Sequence, residues 1–248
     1  MRILRRGRTA ALAVLIGLGL HAPASAIVGG ADATTAEYPW LAAVGTPLFL
    51  NRASGQFCGG ALIAPDQVIT AAHCVALTPP LAQTLTVTFG RDDLRGHDGN
   101  TVQVRDIRIH PGFRVSGLDT TAVYRNDVAI LTLDQPQPGP TVDIAAPGPG
   151  AGTILGWGAT SETGEGNARL HAASVPLVND AECAAAYGSA FDPYTMLCAG
   201  SPTAGATQYD SGGPLLVDGR LTGLISWGEG TARPGFPDVY TRLTGIEF

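Results

Sequence analysis

Residues 70–74 read TAAHC, residues 126–131 read NDVAIL and residues 210–214 read DSGGP. The three segments supply a histidine, an aspartate and a serine. A serine hydroxyl becomes a useful nucleophile when an imidazole accepts its proton during attack. The imidazole in turn needs a carboxylate that fixes its tautomer and stabilises its positive charge. We therefore predict that the fold brings these three segments together as a catalytic triad.

The triad occurs in the order His73, Asp127 and Ser211, and its flanking residues resemble those of the trypsin-like serine proteases of the chymotrypsin fold. The resemblance covers nearly all of the chain after residue 26. It implies an all-β fold of two six-stranded antiparallel β-barrels with the active site in the cleft between them. The histidine and the aspartate would lie in an N-terminal barrel, residues 27–135, and the serine in a C-terminal barrel, residues 136–248.

The residue pattern itself indicates a β-rich chain with many turns. Stretches with the apolar alternation or continuity of strands are 85–89, 102–104, 127–133, 214–217 and 221–227. Asp218-Gly219, between the last two, predicts a hairpin with a type I′ turn. The only helix predicted after residue 26 runs from Ala181 to Tyr187, with Asn179-Asp180 as its cap.

Residues 1–26 have the pattern of a secretory signal peptide. Arginines between residues 2 and 8 precede an apolar stretch, Ala10 to Leu20, that is too short to span a bilayer as a helix. Ala24-Ser25-Ala26 is a small-residue cleavage site of the A-x-A type. We therefore predict a secreted protein, with a membrane anchor as the alternative.

The charge argues against two classes of partner. All 15 cationic residues are arginines, and 11 of them remain after residue 26 against 21 acidic residues, which gives a net charge of −10. Such a chain favours neither nucleic acid nor an anionic membrane surface. It would suit cationic substrates, although simple solubility explains the same charge.

Four cysteines in an exported chain suggest two disulfides, for which three pairings are possible. The resemblance selects Cys58–Cys74 and Cys183–Cys198. A zinc site is the alternative, but the sequence has no C-x-x-C spacing and its histidines are scattered. The acidic segment 91–100, where some relatives bind calcium, is interpreted as a solvated turn. We expect neither a metal nor a cofactor.

The resemblance also implies an activation ion pair. Active relatives begin with Ile-Val-Gly-Gly, which stands here at residues 27–30, and their free α-amine pairs with the aspartate before the nucleophile. That pair would join Ile27 to Asp210. Because Ile27 directly follows the A-x-A site, signal cleavage alone would release the active form, whereas earlier cleavage would leave a short propeptide.

The sequence departs from the family at the oxyanion hole. The family uses the backbone N–H groups of the serine and of the residue two positions before it, which is usually glycine. Here the two residues are Ser211 and Tyr209. A Cβ restricts the backbone angles that glycine permits. We expect Tyr209 to weaken the oxyanion hole and to screen the leaving-group side from bulky inhibitors; a tolerated side chain in solvent is the alternative.

The predicted substrate pocket departs as well. A disulfide that usually braces it is missing, with Thr207 and Thr231 at its two ends. Gly205 falls at the pocket floor, where trypsins carry aspartate, and Asp238 stands on the pocket wall, where relatives usually carry glycine. We therefore expect a relaxed preference for Arg or Lys at P1. Asp238 pointing away into a polar network is the alternative.

The substrate backbone would pair with Ser226, Trp227 and Gly228 as an added strand. The predicted function is that of a secreted, monomeric serine endopeptidase that hydrolyses peptide bonds through an acyl-enzyme. Its partners would be protein or peptide substrates and proteinaceous protease inhibitors. The rival interpretation is a non-catalytic or weakly active protease homologue that acts as a binding module.

Overall fold

The structure is a computed structural model, and it describes residues 27–76, 79–117, 122–159 and 167–247. The predicted signal peptide, residues 1–26, lies outside the described residues. Two six-stranded antiparallel barrels make up the fold, so the predicted fold class is confirmed. No helix in the described ranges is long and apolar enough to cross a bilayer.

The elements follow one another in a strand-rich order. Up to residue 133 the strands are β1 (Ala31–Asp32), β2 (Leu41–Gly45), β3 (Gln56–Ala64), β4 (Gln67–Thr70), β5 (Thr86–Phe89), β6 (Asn100–Ile109), β7 (Arg114–Ser116), β8 (Val123–Arg125) and β9 (Ala129–Leu133). After it come β10 (Ala151–Gly156), β11 (His171–Val178), β12 (Met196–Ala199), β13 (Pro214–Val217), β14 (Arg220–Trp227) and β15 (Asp238–Arg242). The α-helices are α1 (Ala72–Val75) and α2 (Asp180–Tyr187), and short 3₁₀ helices cover Ala53–Gly55, Pro79–Thr84 and Gly188–Ala190.

The first barrel closes in the order β2-β3-β4-β9-β6-β5, and β7 and β8 form a separate hairpin. Its interior is apolar because strands such as β2 bury every residue, and β9 buries all but Thr132. The predicted strand 127–133 starts later than expected, at Ala129. Asp127 and Val128 precede it, and the aspartate turns toward the histidine instead of continuing the ladder.

The second barrel runs in the order β11-β10-β13-β14-β15-β12, with β12 pairing back onto β11 and β1 added at β11. The predicted hairpin is confirmed as β13 and β14. Asp218 and Gly219 have φ values of 51° and 74°. Positive φ at both central residues is the requirement of a type I′ turn, which aspartate and glycine tolerate.

Helix α2 is confirmed with its cap, since the Asn179 side chain accepts a hydrogen bond of 2.9 Å from the Glu182 N–H. Helix α1 was not predicted, because its four residues are too few to show a helical period. It carries the histidine of the TAAHC segment.

Both disulfide pairings implied by the resemblance are present, Cys58–Cys74 and Cys183–Cys198. The first ties β3 to α1, and the second ties α2 to β12. The zinc alternative is therefore wrong, because each of the four sulfurs is bonded to its partner in one of these two disulfides.

Candidate active site

The histidine and the aspartate of the predicted triad lie in direct contact. His73 Nδ1 is 2.7 Å from Asp127 Oδ2, and the His73 backbone N–H donates to Asp127 Oδ1 at 2.8 Å. Asp127 is 1% exposed, so this carboxylate is screened from water, and each of its oxygens contacts His73. The arrangement fixes the imidazole with Nε2 directed away from the carboxylate.

The second barrel holds the same carboxylate from the other side. Ser226 Oγ donates to Asp127 Oδ2 at 2.6 Å, and Thr241 Oγ1 donates to the Asp127 carbonyl oxygen at 2.9 Å. The ring of Tyr124 stacks on the imidazole of His73 with its centroid 4.5 Å away. Sequence reasoning assigned Ser226 only to substrate pairing and missed these contacts, which join residues far apart in the chain.

The Cys58–Cys74 disulfide lies between the histidine and the serine segments. Cys74 Sγ is 3.8 Å from His73 Nε2 and 3.8 Å from the Ser211 carbonyl oxygen. The Gly59 N–H donates to that same carbonyl oxygen at 2.8 Å. The structure thereby brings all three predicted triad residues to one place at the junction of the barrels.

The glycines after the serine permit this close approach. A Cβ on Gly212 would lie 2.3 Å from Thr70 Oγ1 and 2.7 Å from the Gly59 carbonyl oxygen. Gly212 also has a φ of 74°, which side chains rarely adopt. The Gly-Gly pair of the DSGGP segment therefore lets the serine turn lie directly against the first barrel.

The carboxyl group of Asp210 is fully buried beside the serine. Its oxygens accept hydrogen bonds from the Gly158 N–H at 2.8 Å, the Thr207 N–H at 3.0 Å and the Thr207 hydroxyl at 2.8 Å. Burial raises the pKa of Asp210 to about 6, although these hydrogen bonds oppose the shift. Thr207 Oγ1 is also 2.8 Å from the Ala159 carbonyl oxygen, so its single hydroxyl proton is shared between two acceptors and this end of the missing brace is hydrogen-bonded.

The predicted partner of Asp210 is also in the second barrel's interior. Ile27 is fully buried and packs in one cluster with Ala204 and Ala206. Val28 exchanges two backbone hydrogen bonds with Gly205, of 3.0 and 3.2 Å. The start of the described chain is therefore inserted next to the loop that precedes the serine.

Tyr209 adopts the backbone conformation that glycine favours. It has a φ of 74° and is the third residue of a turn closed by a 3.2 Å hydrogen bond from the Asp210 N–H to the Thr207 carbonyl oxygen. A residue with a Cβ held in this region costs about 1–3 kcal/mol, and surrounding contacts must offset that cost. Within the described residues, the N–H groups of Tyr209 and Ser211 donate no hydrogen bond.

A cavity of about 500 Å³ opens beside Ser211 and is lined by predicted pocket residues, but Gly205, the predicted floor, is not one of them. Asp238 lies on its wall, is 7% exposed and accepts a 2.7 Å hydrogen bond from the Ala206 N–H. A Cβ on Gly205 would lie 2.8 Å from Asp238 Oδ2. The Asp238 carboxylate therefore takes up the space that a side chain at residue 205 would need.

Burial, with a smaller contribution from the nearby Asp210 carboxyl, raises the pKa of Asp238 to about 7, against the hydrogen bond from Ala206. Trp227, Gly228 and Ser226 also line the cavity.

The cavity lining also includes an ion pair. Arg233 Nη1 donates to Glu229 Oε1 at 2.7 Å, so the negative charge of Glu229 balances the positive charge of the guanidinium.

One group of side chains has the compactness of a metal site. The ligand atoms of Cys58, His73 and Cys74 all lie within 4.8 Å of one another. Both sulfurs belong to a single disulfide, so no thiolate is available to bind an ion.

Comparison with known proteins agrees with this geometry. The family model for trypsin matches residues 27–247. A trypsin of Saccharopolyspora erythraea is 40% identical over 226 residues, which cover 88% of this chain and 93% of that protein. Trypsin-1 of Astacus astacus is 37% identical over 236 residues, covering 88% and 95%. The vitellin-degrading protease of Bombyx mori is 36% identical over 250 residues, covering 94% and 89%. These similarities favour an enzyme over a non-catalytic binding module, and the chain belongs to the trypsin family of serine endopeptidases.

Proposed function

We propose that Ser211 is the nucleophile of this endopeptidase, that His73 is its general base and then its general acid, and that Asp127 orients His73. The contact between His73 and Asp127, at 2.7 Å, carries this assignment. Two further distances support it, since Cys74 Sγ is 3.8 Å from His73 Nε2 and 3.8 Å from the Ser211 carbonyl oxygen.

The reaction follows from these positions. Ser211 Oγ attacks the carbonyl carbon of the substrate while His73 Nε2 accepts the hydroxyl proton. The same nitrogen then protonates the leaving amine, the peptide C–N bond breaks, and an acyl-enzyme remains on Ser211. Water deprotonated by His73 hydrolyses the acyl-enzyme and restores the serine. The role of Asp127 is to accept hydrogen bonds from the imidazolium and from Ser226.

The oxyanion formed during attack is bound by the N–H groups of Tyr209 and Ser211. Neither N–H group donates a hydrogen bond within the described residues. Donors that bind an oxyanion during the reaction must be free of such a partner. Losing one donor of this kind costs about 10²–10³ in kcat.

The natural substrates are proteins or peptides, and the cavity supports a relaxed preference for Arg or Lys at P1. A buried carboxylate requires a partner, and Asp238 has a single hydrogen-bond donor, the Ala206 N–H, among the described residues. A guanidinium or ammonium group of the substrate would pair with it. Because Asp238 is on the wall of a cavity of about 500 Å³, the cavity also accommodates uncharged side chains.

A serine-directed phosphonate tests the catalytic assignment. We expect stoichiometric labelling of Ser211 in the native protein, and loss of labelling in the Ser211→Ala variant and in the His73→Ala variant. Ser201→Ala serves as a matched control, since Ser201 is at a partly exposed turn outside the site. Absence of label from the folded native protein would refute the assignment.

We further propose that the protein is secreted and that activation needs only the removal of residues 1–26. In the uncleaved chain the Ile27 nitrogen is a peptide amide, so it cannot neutralise the buried Asp210 carboxyl. Cleavage before Ile27 creates an α-amine, whose positive charge would pair with Asp210 and lower the pKa of that carboxyl.

Mass spectrometry of the secreted protein tests this activation. We expect a mature chain that starts at Ile27, and we expect one additional residue before Ile27 to abolish most activity. A mature, active chain that starts elsewhere would refute the proposal.

A further inference from the structure

Tyr209 occupies a glycine-like conformation without being glycine, and the contacts that hold it come from the other barrel. They belong to the segment 49–56, which ends at Gln56, the first residue of β3. The ring and the carbonyl oxygen of Tyr209 are contacted separately, by Arg52 and by Gln56.

The first contact fixes the ring. The guanidinium carbon of Arg52 lies 4.1 Å from the ring centroid of Tyr209, well within the distance of a cation–π interaction. The ring of Phe49 lies 6.2 Å away on a tilted plane. The Tyr209 side chain is therefore packed against the first barrel and does not extend freely into solvent.

The second contact fixes the peptide group that follows Tyr209. Gln56 Nε2 donates to the Tyr209 carbonyl oxygen at 2.8 Å. Gln56 is 1% exposed, so this bond forms away from competing water. The Gln56 amide is itself oriented, because Arg52 Nη2 donates to its Oε1.

Arg52 is anchored independently of Tyr209. Its Nη2 donates to the Trp157 carbonyl oxygen at 2.9 Å, and its Nε donates to the Gln56 carbonyl oxygen at 3.2 Å. One guanidinium thus holds the ring of Tyr209 directly and its carbonyl oxygen through Gln56.

We propose that Arg52 and Gln56 are positioning residues that hold Tyr209 in its left-handed conformation and so keep its N–H directed at the oxyanion. The proposal rests on the oxyanion role assigned above. Neither residue touches the reacting atoms; both act through the backbone of Tyr209. In this enzyme the two contacts supply the conformation that glycine supplies in its relatives.

The test is a double-mutant cycle between Arg52→Met and Tyr209→Gly, with Arg95→Met as the control for loss of an arginine. Arg95 has a side chain that is 65% exposed and pairs with Asp93. The substrate is a short peptide anilide without residues beyond the scissile bond, so that contacts of the leaving group do not contribute. A peptide aldehyde, whose adduct with Ser211 carries an oxyanion, is compared with the corresponding alcohol, which forms no adduct.

We expect Arg52→Met to lower kcat about tenfold or more while KM changes by less than about twofold. Affinity for the aldehyde should fall by the same factor as kcat, and affinity for the alcohol should not. In the Tyr209→Gly background, Arg52→Met should change kcat by less than about twofold, because glycine needs no support in this conformation. Arg95→Met should leave all of these quantities unchanged.

Equal losses in both backgrounds, or an unchanged kcat in Arg52→Met, would overturn the positioning role. If Arg52→Met does not fold, Gln56→Met enters the same cycle, because it removes the bond to the Tyr209 carbonyl oxygen while keeping a similar volume. If the native enzyme binds the aldehyde no more tightly than the alcohol, the oxyanion assignment itself fails. If Arg52→Met and Gln56→Met still bind the aldehyde more tightly than the alcohol by the same factor as the native enzyme, only the positioning role is refuted.

Discussion

Asp238→Asn is the substitution that most directly tests how the pocket selects its substrate. The change keeps the size of the side chain and an oxygen that can accept from Ala206, but it removes the titrating charge. We expect two effects, one on substrate selectivity and one on stability. Both follow from a carboxyl whose pKa burial raises to about 7.

The effect on selectivity is measured as the ratio of kcat/KM for two peptides that differ only in Arg or Leu at P1. At pH 8 Asp238 is ionised, and removing one member of a buried charge pair costs about 2 kcal/mol or more, so the ratio should fall at least ~30-fold in Asp238→Asn. In the native enzyme the ratio should fall as the pH drops below about 7, since the cationic substrate must then displace a proton from Asp238. In the variant the ratio should not depend on pH.

Asp238→Asn should weaken substrate selectivity, but it should raise the free energy of unfolding. A carboxyl with a raised pKa binds its proton more tightly in the folded state, so ionisation opposes folding from about pH 4 upward and reaches its full cost near pH 7. A shift of about three pH units corresponds to roughly 4 kcal/mol. Asp238→Asn should therefore be more stable than the native chain above pH 7, by up to ~4 kcal/mol, and this advantage should vanish toward pH 4.

Urea unfolding at pH 4.5 and pH 8 measures this stability, in a Ser211→Ala background that prevents self-digestion. Asp134→Asn, at an exposed position after β9, is the control for the loss of one negative charge. A native Arg-to-Leu ratio that is independent of pH, or one that Asp238→Asn leaves unchanged, would show that Asp238 does not select the substrate.

Three further predictions concern single contacts. Ser226→Ala removes a 2.6 Å donor from Asp127, so steady-state kinetics should show kcat lowered about tenfold with KM little changed; a change confined to KM would assign Ser226 to substrate binding instead. Ile27→Ala truncates a fully buried side chain and should lower the free energy of unfolding by about 2–5 kcal/mol in urea; a loss below about 1 kcal/mol would contradict tight packing there. Asn179→Ala removes the acceptor for the Glu182 N–H and should cost about 1 kcal/mol in the same assay without changing kcat; an unchanged midpoint would show that water replaces this cap.

The features that the sequence predicted well are those encoded locally. The cap at Asn179 and the hairpin turn at Asp218-Gly219 depend on residues within one turn, and both are present. The two disulfides followed from the family resemblance, and neither pairing could be derived from cysteine number alone. Helix α1, which contains His73, was missed because four residues are too few to show a helical period.

The contacts that the sequence did not predict join residues that are far apart in the chain. Ser226 reaches Asp127 across 99 positions, and Gln56 reaches Tyr209 across 153. A local signal did exist at Tyr209, because the third residue of a tight turn with positive φ favours glycine. That signal predicts strain, but it does not identify the arginine and the glutamine that offset it.

These long-range contacts are reciprocal between the barrels. Asp127, which belongs to the first barrel, is held by Ser226 and Thr241 of the second. Ser211 and Tyr209, which belong to the second, have their carbonyl oxygens bonded by Gly59 and Gln56 of the first. Neither barrel therefore contains a complete site, and each supplies the donors that fix the other's reactive groups. It follows that the geometry of the proposed site is set by the docking of the two barrels. In the positioning role proposed for Arg52 and Gln56, the opposite barrel provides the contacts that let a bulky residue stand where the family usually carries glycine.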